Sequence, residues 1–350
     1  MISNGEFNDL KKKYICTAPF DYVEIYDDKI SLCCPAWIDS DTYNPKSILD
    51  GFRSNKSKKI RESILDGSYK YCDDNLCPFL KDMKETGKVR TESFLEKNED
   101  TLEYFIVDKQ YPSTVNFCFD RSCNYQCPSC RNELINYKGN DRKSVDIKLK
   151  EVNEEISPYI KHINLSGTAD PFYSKSFRQF LRNINTKNYS KLESIHLHTN
   201  GSLWDIKMWE SMKNIHPYVK SCEISIDAGT KDTYENKTRI GGNWQTIIER
   251  LKFISTIKTI DRFRFSFVVQ DSNYREMKKF HTLITDIFSN NNECILEIYY
   301  GRIVNWGTYS DIDFLTKDVC SESHINYNDF LNETLKLSQL PNTLGNIPNL

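Results

Sequence analysis

Short apolar runs alternate with helical patterns between about residue 112 and residue 312. The six runs are STVNFCFD, HINLSG, SIHLHTNG, SCEISIDAG, FRFSFVVQ and CILEIYYG. Between them lie the amphipathic segments VDIKLKEVNEEI, SKSFRQFLRNI, IKMWESMKNI, NWQTIIERLKFI and REMKKFHTLITDIF. A repeated strand-then-helix order predicts an α/β fold whose parallel strands are joined by right-handed crossovers.

Polar residues occupy alternate positions in the first five runs. These positions are Asn116, Cys118, Asp120, Asn164, Ser166, His196, His198, Glu223, Ser225, Asp227, Arg264, Ser266 and Gln270. Central strands of a doubly wound sheet, which helices cover on both faces, read instead as nearly continuous apolar runs. Because successive side chains of a strand point to opposite faces, the pattern predicts one apolar face toward helices and one polar face toward a lumen. We therefore expect a partial (β/α)6 TIM-like barrel with a site inside it.

The first 85 residues follow another pattern. They contain a possible hairpin, DYVEIYDDKISLCC, a helix near NKSKKIRESILDG and a cysteine-bearing turn, YCDDNLCPF. Because this segment is small and has little apolar periodicity, we expect that it needs a bound metal to fold stably. The predicted organisation is a cysteine-rich domain over residues 1–85, a connector over 86–111, the barrel over 112–312 and a C-terminal tail over 313–350.

Composition narrows the class of protein. The chain has 350 residues, of which 39% are hydrophobic, enough to bury a sizeable core. Lys and Arg number 47 against 49 Asp and Glu, so the positive field of most nucleic-acid-binding proteins is missing and we expect no nucleic acid partner. No run reaches the ~20 apolar residues that span a bilayer, which predicts a cytoplasmic protein without membrane contact.

The chain contains twelve cysteines, and most of them fall into two groups. Without a secretory signal, such groups indicate metal binding or catalysis more than a disulfide framework. The sequence CNYQCPSC, just past the first barrel strand, places Cys123, Cys127 and Cys130 in a Cx3Cx2C pattern. Three thiolates leave the fourth iron of a [4Fe–4S] cluster open for another ligand. A three-cysteine zinc site completed by histidine, or a reduced cysteine-rich turn, remains open.

This Cx3Cx2C motif after the first strand of an α/β barrel resembles the radical S-adenosylmethionine (SAM) superfamily. The resemblance extends to SGTADPF at 166–172, TNG at 199–201, SIDAG at 225–229 and NWG at 305–307. It implies a cluster on Cys123, Cys127 and Cys130, whose open iron binds SAM. It further implies reductive cleavage of SAM to a 5′-deoxyadenosyl radical that abstracts a substrate hydrogen. The electron would come from an external donor such as flavodoxin or ferredoxin.

The resemblance also assigns the residues that contact SAM. Gly167 and Asp170 would receive its amino group, and Arg239 would pair with its carboxylate. The positions expected near the ribose are Ser225, Asp227 and, from the fifth strand, Gln270 or Asn273.

The cysteines of the first 85 residues resemble a SPASM or twitch auxiliary-cluster domain, although here it precedes the barrel. This resemblance implies a second [4Fe–4S] cluster. Its ligands would be Cys16, Cys33, Cys72 and Cys77, with Cys34 spare or replacing Cys33. Four thiolates also form a closed tetrahedral zinc site, which remains the alternative.

Four residues on the polar face are candidate catalytic groups, namely Cys118, His196, His198 and Tyr299. A second cluster is suited to accepting an electron from a substrate radical. We therefore expect oxidation or cross-linking of a ribosomally made peptide, or dehydrogenation of a small polar molecule. The alternatives are a radical epimerase of a peptide or sugar and, in another class, a non-catalytic zinc-stapled scaffold.

Overall fold

The six predicted strands form in a computed structural model of the chain. It describes residues 1–26, 29–39, 45–165 and 167–350, and the backbone of residues 42–43. The chain divides into two compact units, each built from several segments. Unit 1 comprises Met1–Phe119, Asn140–Asn164 and Asn185–Glu193, and unit 2 comprises Asp120–Gly139, Leu165–Ile184 and Ser194–Leu350.

Unit 1 combines helices with short strands. Its helices are α1 (Asn4–Lys13), α2 (Ala18–Asp21), α3 (Ile48–Phe52), α4 (Asn55–Leu65), α5 (Pro78–Thr86), α6 (Glu99–Tyr104) and nearly all of α7 (Gly139–Glu155). Its strands are β1 (Tyr14–Cys16), β2 (Tyr22–Ile25), β3 (Lys29–Ser31), β4 (Thr42–Tyr43), β5 (Phe94–Glu96), β6 (Thr114–Phe117) and most of β7 (His162–Leu165). Strands β1 and β5 pair antiparallel, and the other strands of this unit follow the order β4-β3-β2-β6-β7.

The predicted hairpin is confirmed, because β2 and β3 pair antiparallel. The helix near NKSKKIRESILDG is confirmed as α4. One feature was not predicted: β2 pairs in parallel with β6, with Val23 opposite Val115, so the hairpin and the first predicted barrel strand share a sheet. The expected connector over 86–111 also contains β5 and α6. The boundaries of the four predicted segments stay a prediction.

Unit 1 has a hydrophobic core that includes one of its cysteines. The residues of this core are Phe7, Ile15, Phe20, Ile64, Tyr69, Cys77, Leu80, Met83, Phe94 and Phe105. Cys16 and Cys72 are partly buried and pack against it. Cys77 therefore belongs to an apolar core, and Cys16 and Cys72 lie at its edge.

Unit 2 is a parallel α/β arrangement. Its strands are β8 (Ser194–Thr199), β9 (Val219–Ser225), β10 (Arg262–Val269), β11 (Ile295–Arg302) and β12 (Thr343–Gly345), in that order. Its helices are α8 (Lys175–Asn183), α9 (Ile206–Glu210), α10 (Lys231–Thr233), α11 (Trp244–Ile254), α12 (Met277–Phe288), α13 (Asp311–Leu315) and α14 (Tyr327–Leu337). Single-turn 3₁₀ helices cover Lys213–Ile215 and Tyr274–Glu276, and a π-helix covers Tyr234–Thr238. Neighbouring strands from β8 to β12 pair in parallel.

The six predicted strands correspond to β6 through β11, and the largely parallel α/β class is confirmed. The alternation is also present: in β8, Ile195 and Leu197 are fully buried, whereas His196 and His198 are half-buried. Polar caps start the intervening helices, as when the Ser174 hydroxyl accepts from the amide of Phe177 at the start of α8. Closure of the strands into a partial barrel stays a prediction. No helix of the described residues has both the length and the apolar character to cross a membrane.

Candidate metal centre

The loop after β6 carries three cysteines, and backbone hydrogen bonds fix its turns. The amides of Cys130 and Arg131 donate to the carbonyl oxygen of Cys127 at 2.9 and 3.0 Å. The amide of Cys123 donates to the carbonyl oxygen of Ile135 at 2.9 Å. The predicted spacing thus becomes a loop that folds back on itself, with its last two cysteines on one tight turn.

The three thiols lie within electrostatic reach of one another. Burial, with a smaller contribution from the Asp170 carboxylate, raises the pKa of Cys123 to about 11. Burial also raises the pKa of Cys127, against the opposing charge of Arg239. Cys127 contributes to the shift of Cys123, and Cys130 to that of Cys127. Metal binding therefore has to displace protons from the buried thiols.

The groups around these thiols show whether a [4Fe–4S] cluster and a polar ligand of its open iron would fit here. Across the described residues, no three His, Cys, Asp or Glu side chains are arranged to hold a metal ion. Cysteines of a [4Fe–4S] cluster bind separate irons, so their sulfur atoms stand farther apart than the ligands of one ion. The fit therefore depends on whether the neighbouring groups offer positive charge, hydrogen-bond donors and open space.

Open space is present at Gly167, although Ser166 before it lies outside the described residues. Gly167 has a φ of +88°, and among the described residues other than its chain neighbours no heavy atom lies within 4 Å of the position that a Cβ would take. This turn adjoins the cysteine loop, because the Arg131 guanidinium donates to the carbonyl oxygen of Thr168 at 2.9 Å. A ligand can approach such a turn closely.

Asp170 is buried, and four donors bind its carboxylate. The amides of Phe172 and Tyr173 donate to Oδ1, each at 3.0 Å. The Thr199 hydroxyl and the Asn200 amide donate to Oδ2 at 2.7 and 2.9 Å. Asp170 therefore holds the loop after β7 to the loop after β8. Its role toward the amino group of SAM stays a prediction, while its visible contacts are internal.

Asp227 and Arg239 form a buried ion pair, with Arg239 Nη2 at 2.7 Å from Asp227 Oδ2. The amide of Val268 donates to Asp227 Oδ1 at 2.7 Å, and Asn273 Nδ2 donates to the Asp227 carbonyl oxygen at 3.0 Å. The amide of Gln270 in turn donates to Asn273 Oδ1 at 2.9 Å. The structure thus brings four of the predicted SAM-contacting residues together, and the roles assigned to them stay predictions.

Rows of polar residues cross the half-buried face of β8 to β11. One row, in register, consists of His198, Glu223, Arg264 and Glu297. Arg264 Nη2 lies 2.8 Å from Glu297 Oε2, and the Arg264 guanidinium lies 5.3 Å from the ring centroid of Tyr299. His198 Nε2 lies 2.9 Å from the hydroxyl of Ser225, another predicted SAM contact. Arg264 and Glu297 form an ion pair in this row, and Glu223 is its second carboxylate, with Oε1 at 3.9 Å from His198 Nε2.

His196 lies one row away, with Nδ1 at 2.8 Å from the Ser221 hydroxyl. Burial, with a smaller contribution from His198, lowers the pKa of His196 to about 4. The ring is therefore neutral at neutral pH. The catalytic roles suggested for His196, His198 and Tyr299 stay predictions.

Cys118, in unit 1, lies beside a carboxylate that sequence reasoning missed. Its thiol donates to Glu24 Oε1 at 3.4 Å. The hydroxyls of Tyr22 and Tyr26 donate to the same carboxylate at 2.7 and 2.6 Å. Burial, reinforced by the Glu24 charge, raises the pKa of Cys118. The one signal in the sequence was an acidic residue inside the apolar run YVEI.

The five N-terminal cysteines lie within electrostatic reach of one another in unit 1. Burial, with contributions from Cys72 and Cys77, raises the pKa of Cys16 to about 12. Burial also raises the pKa of Cys33, and Cys16 and Cys77 add to the effect. The Glu24 carboxylate and Cys77 add to the burial effect at Cys34. The structure thus groups the four predicted ligands with the spare cysteine, although whether they bind a cluster stays a prediction.

Sequence reasoning also missed residues around the cysteine loop. Arg131 directly follows the last cysteine, and Asn200 is the central residue of TNG. The hydroxyls of Tyr125 and Tyr234 lie 3.0 Å apart and are buried, which ties the cysteine loop to the π-helix. Burial raises the pKa of Tyr309, to which Cys127 contributes, so this tyrosine also lies near the loop.

Comparison with known proteins identifies the domain that contains this loop. Residues 119–284 match the family model described as the Radical SAM superfamily. Among solved structures, the chain is similar to "Structure of TYW1 with a lysine-pyruvate adduct bound", with 13% identity and a TM-score of 0.39 over 65% of this chain and 72% of that one. "Crystal structure of archaeal TYW1" has 13% identity and a TM-score of 0.33, over 61% and 68%. No curated protein matches the chain. Residues 119–284 of this chain are therefore similar to radical SAM domains, which bind a [4Fe–4S] cluster and cleave SAM reductively.

Proposed function

We propose that this protein is a radical SAM enzyme of the oxidoreductase type that removes a hydrogen atom from a peptide or a small polar substrate. The observation that carries the proposal is the Cx3Cx2C loop of Cys123, Cys127 and Cys130 inside the matched domain, with its thiols grouped beside an open glycine turn. When bound, the cluster and SAM supply a 5′-deoxyadenosyl radical, after one electron arrives from an external donor such as flavodoxin or ferredoxin.

In this proposal, the protein's own residues bind the cluster and SAM and orient the substrate. Cys123, Cys127 and Cys130 hold three irons, and the backbone at Gly167 allows close approach of the amino acid end of SAM. The polar face of β8 to β11 orients the substrate through hydroxyl, imidazole and carboxylate groups. Because two carboxylates share one arginine in its central row, this face favours a hydrogen-bond donor of the substrate over an anionic group.

A second [4Fe–4S] cluster in unit 1 is part of the proposal. Its ligands are Cys16, Cys33, Cys72 and Cys77, with Cys34 available in place of Cys33. The mutual effect of these thiols on one another's pKa supports a shared site. A cluster there is suited to accept one electron from the substrate radical, which would make the overall reaction an oxidation or a cross-link. Zinc in the same site is the alternative.

Burial and the Glu24 charge raise the pKa of the Cys118 thiol and so keep it protonated, which supports epimerisation as a second candidate function. A substrate carbon radical would take the hydrogen atom from the Cys118 thiol, and the thiyl radical would regain one electron and one proton from an external reductant and solvent. In that case, replacing Cys118 with Ser abolishes product formation but not 5′-deoxyadenosine formation.

The experiment that tests the enzyme proposal measures iron, sulfide and 5′-deoxyadenosine under dithionite. It compares anaerobic wild-type protein with a Cys123→Ala/Cys127→Ala/Cys130→Ala variant. We expect about eight irons in the wild type, about four in the variant and deoxyadenosine from the wild type alone. Zinc in place of iron, with no SAM cleavage after cluster reconstitution, would contradict the proposal and leave a zinc-stapled scaffold.

A further inference from the structure

Each cysteine of the Cx3Cx2C loop receives one side-chain N–H group. Asn200 Nδ2 lies 3.7 Å from Cys123 Sγ, Arg239 Nη1 lies 3.4 Å from Cys127 Sγ, and Arg131 Nη2 lies 3.6 Å from Cys130 Sγ. We propose that Asn200, Arg239 and Arg131 are positioning residues that orient the three thiolates and raise the reduction potential of the cluster. This inference rests on the proposed function, because it needs a cluster on these cysteines.

Arg131 is held in place by contacts other than its thiol. Its Nη1 donates to the carbonyl oxygen of Arg121 at 2.7 Å, and its Nη2 donates to that of Thr168 at 2.9 Å. The residue is 9% exposed. Because these two acceptors are uncharged backbone groups, they fix the guanidinium without neutralising its positive charge.

Arg239 is held by a charged partner. Its Nη2 lies 2.7 Å from Asp227 Oδ2, and the residue is 8% exposed. The π-helix Tyr234–Thr238 places it there, since the Arg239 amide donates to the carbonyl oxygen of Tyr234 at 2.8 Å. The Asp227 carboxylate offsets part of the positive charge that the Cys127 sulfur would otherwise experience.

Asn200 is a neutral donor. Its Nδ2 also donates to Asn124 Oδ1 at 2.9 Å, and its Oδ1 accepts from the amide and the hydroxyl of Ser202 at 3.0 and 2.7 Å. These bonds fix the orientation of the amide group, so that its N–H side faces Cys123 and its oxygen faces away from that sulfur.

Reduction adds one negative charge to a cluster that is bound by thiolates. Hydrogen-bond donors and positive charges near the sulfur atoms stabilise the reduced state more than the oxidised state, which raises the potential. The three residues should therefore contribute in a fixed order. Arg131, whose charge is not offset by its backbone partners, contributes most; Arg239, paired with Asp227, contributes less; and the neutral Asn200 contributes least.

The test is a redox titration, followed by EPR, of anaerobically reconstituted full-length protein. The signal to follow is the one that the triple Cys→Ala variant lacks, so the auxiliary site does not interfere. The variants are Arg131→Met, Arg131→Lys, Arg239→Met and Asn200→Ala. The matched control is Arg302→Gln, which removes another arginine of unit 2 that is ion-paired to an aspartate, with Arg302 Nη2 at 2.6 Å from Asp318 Oδ2.

We expect Arg131→Met to lower the ratio of reduced to oxidised cluster at a fixed potential about tenfold, which corresponds to 59 mV for one electron. Smaller decreases should follow for Arg239→Met and then for Asn200→Ala. Arg131→Lys, which keeps the charge and a donor, should recover most of the loss, and Arg302→Gln should match the wild type. Arg131→Gln replaces Arg131→Met if the latter does not retain iron. It keeps an N–H donor but loses the charge, so it should lower the ratio of reduced to oxidised cluster less than Arg131→Met would.

Failure of this inference can be distinguished from failure of the proposed function. Variants that retain full iron and show the wild-type potential would overturn this inference and leave the proposed function intact. A wild-type protein that takes up no iron on Cys123, Cys127 and Cys130 would overturn the proposed function itself. SAM cleavage is not needed for either result.

Discussion

Three buried aspartates of unit 2 bind side chains from other positions of that unit. Asp120 accepts from the hydroxyl of Ser174, Asp170 from that of Thr199, and Asp227 from the guanidinium of Arg239. Several hydrogen bonds hold a buried carboxylate in one orientation. Burial nevertheless raises the pKa of Asp170 and of Asp227, against the hydrogen bonds and the Arg239 charge that lower it. At the scale of single residues, the loops around the cysteines are therefore held together by internal contacts before any cofactor binds.

His196 gives a prediction of its own at this scale. Because its pKa is lowered from 6.5 to about 4, mainly by burial, the unfolded chain binds a proton between these pH values that the folded chain does not. Stability contributed by the neutral ring is complete above pH 6.5 and is lost as the pH falls toward 4. We expect His196→Gln to lose less free energy of unfolding over this interval than the wild type, by up to about 3 kcal/mol.

Urea unfolding at pH 7.5 and at pH 4 measures this difference. Ser221→Ala is the control, because it removes the hydrogen-bond partner of His196 but keeps the ring, and it should preserve the wild-type dependence on pH. An identical loss of stability in His196→Gln and wild type between these pH values would show that the ring does not titrate as described.

Single residues also show what the sequence could predict of the site. The cysteine motif and the glycine-containing turns could be located from the sequence, because cysteine spacing and turn glycines are local properties of the chain. Partners were not predictable in this way. The donors to Asp170 come from residues two to thirty positions away, and nothing in SGTADPF indicates that its carboxylate is already bound by four of them. Glu24, next to Cys118, lies 94 positions away from it in the chain.

At the scale of elements, the π-helix Tyr234–Thr238 is the segment that carries Arg239 to its thiol. Gly242 follows it closely, and a Cβ there would lie 2.6 Å from Tyr234 Cε1 and 2.8 Å from the Arg239 carbonyl oxygen. These distances are too short for any real contact, so Gly242→Ala must displace the π-helix. We expect it to lower the free energy of unfolding by about 1–3 kcal/mol, measured by urea unfolding.

Gly5→Ala is the contrasting variant for this prediction. Gly5 lies exposed in helix α1, and among the described residues beyond its own helical backbone the Ser3 hydroxyl, at 3.9 Å, is the one atom near its Cβ position. Alanine in place of glycine in a helix stabilises it by roughly 0.5–1 kcal/mol, so the two substitutions should have opposite signs. Equal free energies of unfolding of Gly242→Ala and wild type would mean that the π-helix can shift without destabilising the protein. It would then not be the element that positions Arg239.

Elements were predictable where their signal is local and not where their partners are distant. The alternation of β8 and the amphipathic pattern of α12 are visible in a few residues, and both elements formed where predicted. The pairing of β2 with β6 was not foreseen, because parallel strands need a long connection and leave no turn motif between them. Strand β12 has three residues, too few for a periodic pattern.

At the scale of the whole molecule, the two cysteine groups belong to different compact units. Cys16, Cys33, Cys72 and Cys77 lie in unit 1, whereas Cys123, Cys127 and Cys130 lie in unit 2. Each group has its own surroundings: the first borders an apolar core that contains Cys77, and the second lies among buried charged residues. Two sites built on separate units should lose their metal independently.

This independence can be tested with a Cys16→Ala/Cys33→Ala/Cys72→Ala/Cys77→Ala variant. We expect it to lose about four irons and to keep the rest, together with 5′-deoxyadenosine formation. Because the lost metal bordered the core of unit 1, limited proteolysis should cut faster within residues 1–119 than in the wild type, with unit 2 unaffected. A Cys222→Ala/Cys294→Ala/Cys320→Ala variant, which removes three cysteines outside both groups, should keep all the iron. Full iron in the quadruple variant would show that the N-terminal cysteines bind no cluster, and the oxidative role proposed for a second cluster would then have to be abandoned.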